Sequence, residues 1–323
     1  MRHAQLLTIV EYEDYTTVDV ADPWHKGQTL HHYRIEKNHP VQSALVTTSV
    51  HCALFDELGC RNSLKGICDL QYIHLPWVQQ GCREGGIADC GNSLEPTVEL
   101  IAKLQPDAIF LSPFQNSGGY GRVEQLGIEI VEMADYMETS ALGRAEWVRF
   151  YARLLGQKER GDSLFAVVEK TYNGLKDLAE GLGKEATTLL MDKMVGQVWY
   201  VPGGRSTTGR MLADAGADYP WAEDEHSGSL ALSLEEVLDK GADTDVWVLR
   251  YSGASPLTLR NLLKENAAYA QLKAFRQHHV YGCNTETSTF FEETPFHPER
   301  LLRDLVCILH PEQGTPRYYH RVE

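Results

Sequence analysis

The sequence predicts an α/β protein: two Rossmann-like lobes, one long α-helix of a length to join them, and a small N-terminal β meander. Three observations predict it. The first is a helix-turn-strand unit used twice. Pro96-Thr-Val-Glu99-Leu-Ile-Ala-Lys-Leu-Gln-Pro-Asp107-Ala-Ile-Phe-Leu111 opens a short amphipathic helix on an acidic residue. It then turns at Asp107 and enters an apolar run that reads as a buried parallel strand. Leu232-Ser-Leu-Glu235-Glu-Val-Leu-Asp-Lys-Gly-Ala-Asp-Thr-Asp245-Val-Trp-Val-Leu249 repeats the unit about 136 residues later. The second observation is Lys158 to Leu182, with Leu164, Val167, Val168, Tyr172, Leu175 and Leu178 on one helical stripe. At about 1.5 Å per residue this helix reaches nearly 40 Å. The third is the strand-like alternation of residues 1–40.

Taken in order, Leu6–Tyr12, Tyr15–Val20 and Thr29–Ile35 are three antiparallel strands, with a turn at Asp22-Pro-Trp-His-Lys-Gly27. Ala44–Thr48 is a strand, and Val50–Leu58 a helix closed by Gly59. Residues 62–92 are glycine-rich and read as a long irregular loop. Ala108–Leu111 and Ile128–Glu132 are strands, and Val123–Leu126 starts a helix between them. A helix covers Ala145–Leu155 and ends at Gly156. Beyond the long helix, Ala186–Met191 and Gln197–Val201 are strands. Ser206 caps a helix running to Ala215, closed by Gly216. Val246–Leu249 is a strand, Leu257–Leu263 a helix and His279–Tyr281 a short strand. Pro298 and His310-Pro311 bracket the last helix. The domain boundaries that follow are 1–40 for the added strands, 41–156 for the first lobe, 157–183 for the long helix and 184–323 for the second lobe.

Bulk composition narrows the function. At 323 residues the chain can bury two substantial cores, and 43% hydrophobic with 23% charged residues is ordinary for a globular protein. A net charge of −15 argues against nucleic acid or an anionic membrane as partner. No stretch reaches the length of a transmembrane helix. Met1–Val10 is too short for a signal peptide, which taken alone reads as cytoplasmic. Seven cysteines (Cys52, Cys60, Cys68, Cys82, Cys90, Cys283, Cys307) include no CxxC, and their odd number leaves at least one free thiol. Cys82 and Cys90 flank a short loop and are candidates to pair, whereas Cys307 reads as a buried small hydrophobe.

Segments 93–111 and 232–249 resemble the two lobes of the rigid-helix substrate-binding proteins of ABC transporters, and the resemblance extends over roughly residues 41–312. It implies cargo such as cobalamin, haem or a ferric siderophore, and a long helix that joins the lobes stiffly. It implies that Glu99 and Glu235 dock onto the transmembrane subunits of the permease. It also implies a periplasmic or lipid-anchored protein of the cell envelope, with the export signal absent from this sequence. First-turn glutamates are favoured by any helix dipole. Ser233 and Glu236, however, fit a capping box, which leaves Glu235 free to point outward.

In open α/β sheets ligands bind beyond the carboxyl ends of the strands. The loops there offer His51, Phe114, Tyr120, Arg205, Arg250, Tyr251, Phe290 and Phe291, with Trp77 and Trp221 in other irregular segments. This aromatic, partly cationic set suits a large flat ligand. Arg205 and Arg250 could pair with propionates or an anionic iron complex. His51 or Tyr120 could ligate a metal centre axially. His51 at a helix start is otherwise a hydrogen-bonded structural residue. No intrinsic cofactor is expected, since the metal would arrive in the cargo, and the protein is expected to act as a monomer. The competing expectation is a tetrapyrrole- or metal-handling enzyme using His51, His226, His297 and the cysteines of 52–90. No GxSxG, HExxH or nucleotide-binding spacing supports it.

Overall fold

The computed structural model describes residues 1–114, 119–183 and 187–323, which form two compact units. The first comprises Met1–Glu138, Leu142–Val167 and Phe291–Phe296; the second comprises Thr139–Ala141, Val168–Phe290 and His297–Glu323.

The first unit opens with β1 (Leu7–Glu11), β2 (Tyr15–Ala21) and β3 (Thr29–Glu36), an antiparallel meander in that order. Alternation works as expected: Val18, Val20, Tyr33 and Ile35 turn to the buried side. Its main sheet holds β4 (Ala44–Val46), β5 (Leu64–Ile67), β6 (Ala88–Asp89), β7 (Ala108–Leu111) and β8 (Glu129–Glu132). All are parallel, in the order β6-β5-β4-β7-β8. The winding direction therefore reverses between β4 and β7, the place where open α/β sheets form a crevice.

Residues 62–92 correct the sequence reading. They are not an irregular loop but supply β5, the helix Pro76–Arg83 and β6. Trp77 accordingly lies on that helix rather than in irregular chain. The strands escaped notice because Leu64-Lys-Gly-Ile67 is short and carries a glycine, normally a weak strand residue. Here the glycine is a packing requirement: a Cβ on Gly66 would stand 2.8 Å from Leu104 Cδ2. The expected helix from Val123 is a 3₁₀ segment, Gly121–Leu126.

The second unit holds β9 (Leu189–Met191), β10 (Met194–Val195), β11 (Val198–Pro202), β12 (Ser229–Leu232), β13 (Val246–Tyr251), β14 (Val280–Asn284) and β15 (His320–Arg321). β9, β13 and β14 are parallel neighbours, and β15 closes that sheet antiparallel. β10, β11 and β12 make a separate antiparallel sheet. The start of the expected strand Ala186–Met191 lies outside the described residues. Arg250 and Tyr251, expected in loops, instead end β13, paired with Cys283 and Asn284 of β14.

The repeated helix-turn-strand unit is present in both places. Helix Val98–Leu104 leads into β7, and helix Leu234–Gly241 into β13. The likeness extends to individual hydrogen bonds. Asp107 Oδ2 accepts the backbone N–H groups of Gln42 and Ser43, each at 2.8 Å, while its own N–H donates to Ser43 Oγ at 2.9 Å. Asp245 Oδ2 accepts from Thr188 N and Oγ1 at 3.1 and 2.7 Å, and its N–H donates to Thr188 Oγ1 at 2.8 Å. Each aspartate thus clasps a hydroxyl residue at the head of the neighbouring strand, fixing where the pair of strands begins.

The long helix spans Lys158–Leu182 as read from the stripe. Its residues through Val167 belong to the first unit and those from Val168 to the second. Among the described residues no helix is long and apolar enough to cross a membrane. All seven cysteines are free thiols, so Cys82 and Cys90 are not bonded. Burial raises Cys68 to about 12 and Cys90 to about 11, which keeps both protonated.

Candidate functional site

A cavity of about 800 Å³ opens in the first unit where β4 and β7 end. Its floor is Leu45, Ile109 and Leu111, which belong to one apolar cluster together with Ile101 and Val123. Leu45 and Ile109 are directly paired across the sheet, so period-two alternation places them on one face. Thr47 and Thr48 after β4, and Ser112 after β7, add hydroxyls at the carboxyl edge. The loop Ser93–Pro96 and the turn Gly119–Val123 form the side walls. Leu94 and Phe114 make an open apolar rim, 78% and 51% exposed.

Tyr120 is held firmly in this wall. Its hydroxyl donates to Glu132 Oε1 at 2.6 Å, and its backbone N–H donates to Glu124 Oε1 at 2.6 Å. Burial, then Glu132, pushes its phenol far above the ordinary range, so it is protonated at neutral pH. Glu132 is braced in turn by the meander: its N–H donates to Tyr33 Oη at 2.8 Å, and His31 Nδ1 lies 3.4 Å from Glu132 Oε2. The turn needs its glycines. Gly119 and Gly121 have φ of +98° and +58°, a region other residues rarely adopt.

The other residues singled out in the sequence each have their own local partners. His51 is buried in helix Ser49–Glu57, with Nε2 3.3 Å from Asp135 Oδ1. Arg144 Nε donates to Asp135 Oδ2 at 2.9 Å, so the buried carboxylate has a guanidinium and an imidazole as partners. Desolvation raises the Asp135 carboxyl, but Arg144 and His51 outweigh it and hold it below its usual value. His51 is not among the residues lining the cavity. Trp77 packs under Arg61, whose guanidinium carbon lies 5.2 Å from the ring centre.

In the second unit, Arg205 pairs with Glu225 at 2.6 Å on the surface. Trp221 is buried against Tyr219. Arg250 forks onto Asp192, which follows β9, at 3.0 and 2.6 Å. Tyr251 packs over Gly282, where a Cβ would approach its ring to 3.1 Å. Phe290 is buried edge-on to Tyr318 and Tyr319, while Phe291 is half exposed. Of the ligand candidates in the first unit, Phe114 and Tyr120 line the cavity. The tip of that loop, Gln115–Gly118, lies outside the described residues.

Both glutamates stand in the first turn of an exposed helix. Glu236 and Ser233 form the expected capping box, which leaves Glu235 pointing into solvent. Glu99 instead meets Arg122 Nη2 at 2.8 Å, both side chains 69% exposed. Arg122 was not singled out in the sequence, although it also lines the cavity. Among the described residues, no group of three or more His, Cys, Asp or Glu side chains is placed to hold a metal ion.

Comparison with known proteins identifies the architecture. A family profile described as periplasmic binding protein matches residues 71–287. An uncharacterized lipoprotein of Methanocaldococcus jannaschii is 26% identical over 312 residues, covering 94% of this chain and 73% of its own length. The Fe3+-hydroxamate transport system protein of Saccharomonospora viridis superposes with a TM-score of 0.64 at 17% identity, covering 86% of this chain and 96% of that one. The apo form of the periplasmic haem-binding protein RhuT of Roseiflexus superposes with a TM-score of 0.65 at 19% identity, covering 84% and 100%. A periplasmic binding protein of Veillonella parvula gives a TM-score of 0.68 at 13% identity, covering 96% and 97%.

Proposed function

Because this chain belongs to the periplasmic binding protein family, as a substrate-binding protein of the ABC-transporter type rather than an enzyme, we propose that its cargo is an iron complex, siderophore or haem, or a corrinoid. It would hand that cargo to the transmembrane subunits of a permease through Glu99 and Glu235. The observation that carries the cargo reading is the cavity of about 800 Å³ at the switch point. Its size suits a large organic ligand, and its apolar floor and aromatic rim suit a flat one. Phe114 offers a ring for stacking, Tyr120 an oxygen, and Arg122 a charge for propionate or an anionic chelate. The oxygen of Tyr120 is a protonated phenol bonded to a carboxylate. Ligation of iron through it would require that proton to pass to Glu132.

The family works outside the cytoplasm, and the lipoprotein relative supports a lipid anchor for this protein too. The deciding experiment is an absorbance and thermal-shift titration with haemin, cyanocobalamin and a set of ferric siderophores. One selective binder raises the unfolding midpoint, by about 3 kcal/mol of stability at a hundredfold excess over Kd. A folded protein that answers to none of them overturns the reading.

A further inference from the structure

The carrier function proposed above requires that a permease distinguish loaded from unloaded protein, and Arg122 sits where that distinction can be made. On the basis of that function, we propose that Arg122 reads the negative charge of the cargo and relays occupancy to Glu99. Without cargo its guanidinium holds the Glu99 carboxylate. With an anionic cargo it turns to the bound anion and releases Glu99 for docking.

The geometry supplies both ends of the relay. Arg122 Nη2 lies 2.8 Å from Glu99 Oε1, yet Arg122 lines the cavity while Glu99 does not. Among the described residues lining that cavity, Arg122 is the one cation and Glu95 the one carboxylate. A negatively charged group entering there has a single partner of opposite sign. The Glu99–Arg122 pair is easily given up. Both side chains are 69% exposed, and exposed pairs contribute little and exchange partners readily. A carboxylate or catecholate held over an apolar floor is a stronger partner, because it meets the guanidinium in a lower dielectric and can take its two-pronged fork. The side chain also has room to turn. It is 69% exposed and leaves from the 3₁₀ segment Gly121–Leu126 at the cavity wall.

Glu99 itself reports the state of the relay. Its own backbone N–H, then Arg122, holds its carboxyl below the ordinary value. Departure of the guanidinium must therefore raise its titration midpoint. The test uses the whole protein, wild type and Arg122→Gln, with two pairs of probes: haemin with its uncharged dimethyl ester, and an anionic ferric tris-catecholate with cationic ferrioxamine B. Carbon-detected NMR of the Glu99 carboxyl, assigned with Glu99→Gln, follows titration with and without probe.

We expect Arg122→Gln to weaken the anionic probe that binds by about tenfold or more, leaving its uncharged or cationic partner within about twofold. We expect loading of the wild type to move the Glu99 midpoint up to the value found in unloaded Arg122→Gln. Binding of an anionic probe that Arg122→Gln does not weaken, or a Glu99 midpoint that ignores loading, overturns the relay and leaves the carrier function standing. Binding of the uncharged or cationic probes alone also overturns the relay, and silence from all four, with cyanocobalamin inert as well, overturns both.

Discussion

Asp135 shows what a sequence conceals at the scale of one side chain. It is 1% exposed and carries a charge supported by Arg144 and His51. Asp135→Asn takes that charge away from the partly buried Arg144 guanidinium and the His51 imidazole together. Breaking such a pair costs about 3–5 kcal/mol, read as a fall in the unfolding midpoint. The sign with pH follows from a carboxyl held below its usual value. The stabilisation is complete above the unfolded value of about 4 and is lost as pH falls through the lower folded value. Wild type and Asp135→Asn should therefore differ in denaturant titrations at pH 7 and converge toward acid. His51 belongs to this trio, which fits its reading as a hydrogen-bonded structural residue. Nothing in the sequence near His51 pointed to its partner, because Asp135 is 84 positions away. Glu99 and Arg122, 23 positions apart, were hidden by the same distance.

Local rules read elements well when the information is local. Ser206 accepts from Gly209 N–H and Ser233 completes a box with Glu236, as their spacing predicts. The long helix is legible from its stripe because a period repeated over 25 residues outweighs any single exception. β5, β6 and β12 are two to four residues long, too short to show any period, and their neighbours in the sheet define them. The site follows the same division: Phe114 and Tyr120 were found from strand ends, whereas Arg122 lies in a 3₁₀ turn with no pattern to betray it.

Two glycines of the long helix separate propensity from packing. Gly174 is exposed and a Cβ there meets nothing, so Gly174→Ala should raise stability by about 1 kcal/mol. At Gly161 a Cβ would lie 2.2 Å from Ala152 Cβ, so Gly161→Ala should lower the midpoint despite the better helix former. Equal effects from the two would contradict the packing.

For the whole molecule, the net charge of −15 and the two exposed first-turn glutamates suit a basic docking surface. Replacing Glu99 and Glu235 together by alanine should leave the fold intact and should not weaken cargo binding, because neither residue lines the cavity and Glu99 only competes with an anionic cargo for Arg122. Uptake by cells carrying the cognate permease should fall about tenfold or more, the loss that follows when charged contacts are removed. Uptake at the wild-type rate would show that the glutamates serve only their helices.

The paired aspartate clasps have one more consequence. Ser43 with Asp107, and Thr188 with Asp245, are the same lock cut from slightly different metal. The parallel strand pairs β4 with β7 and β9 with β13 can therefore be laid over one another as if they came from two species. What the halves share is what the scaffold demands. Where they part company — Leu45 and Ile109 flooring a cavity beside one pair, Arg250 forked onto Asp192 beside the other — the chain marks its own specialisation, and it serves as its own comparative record.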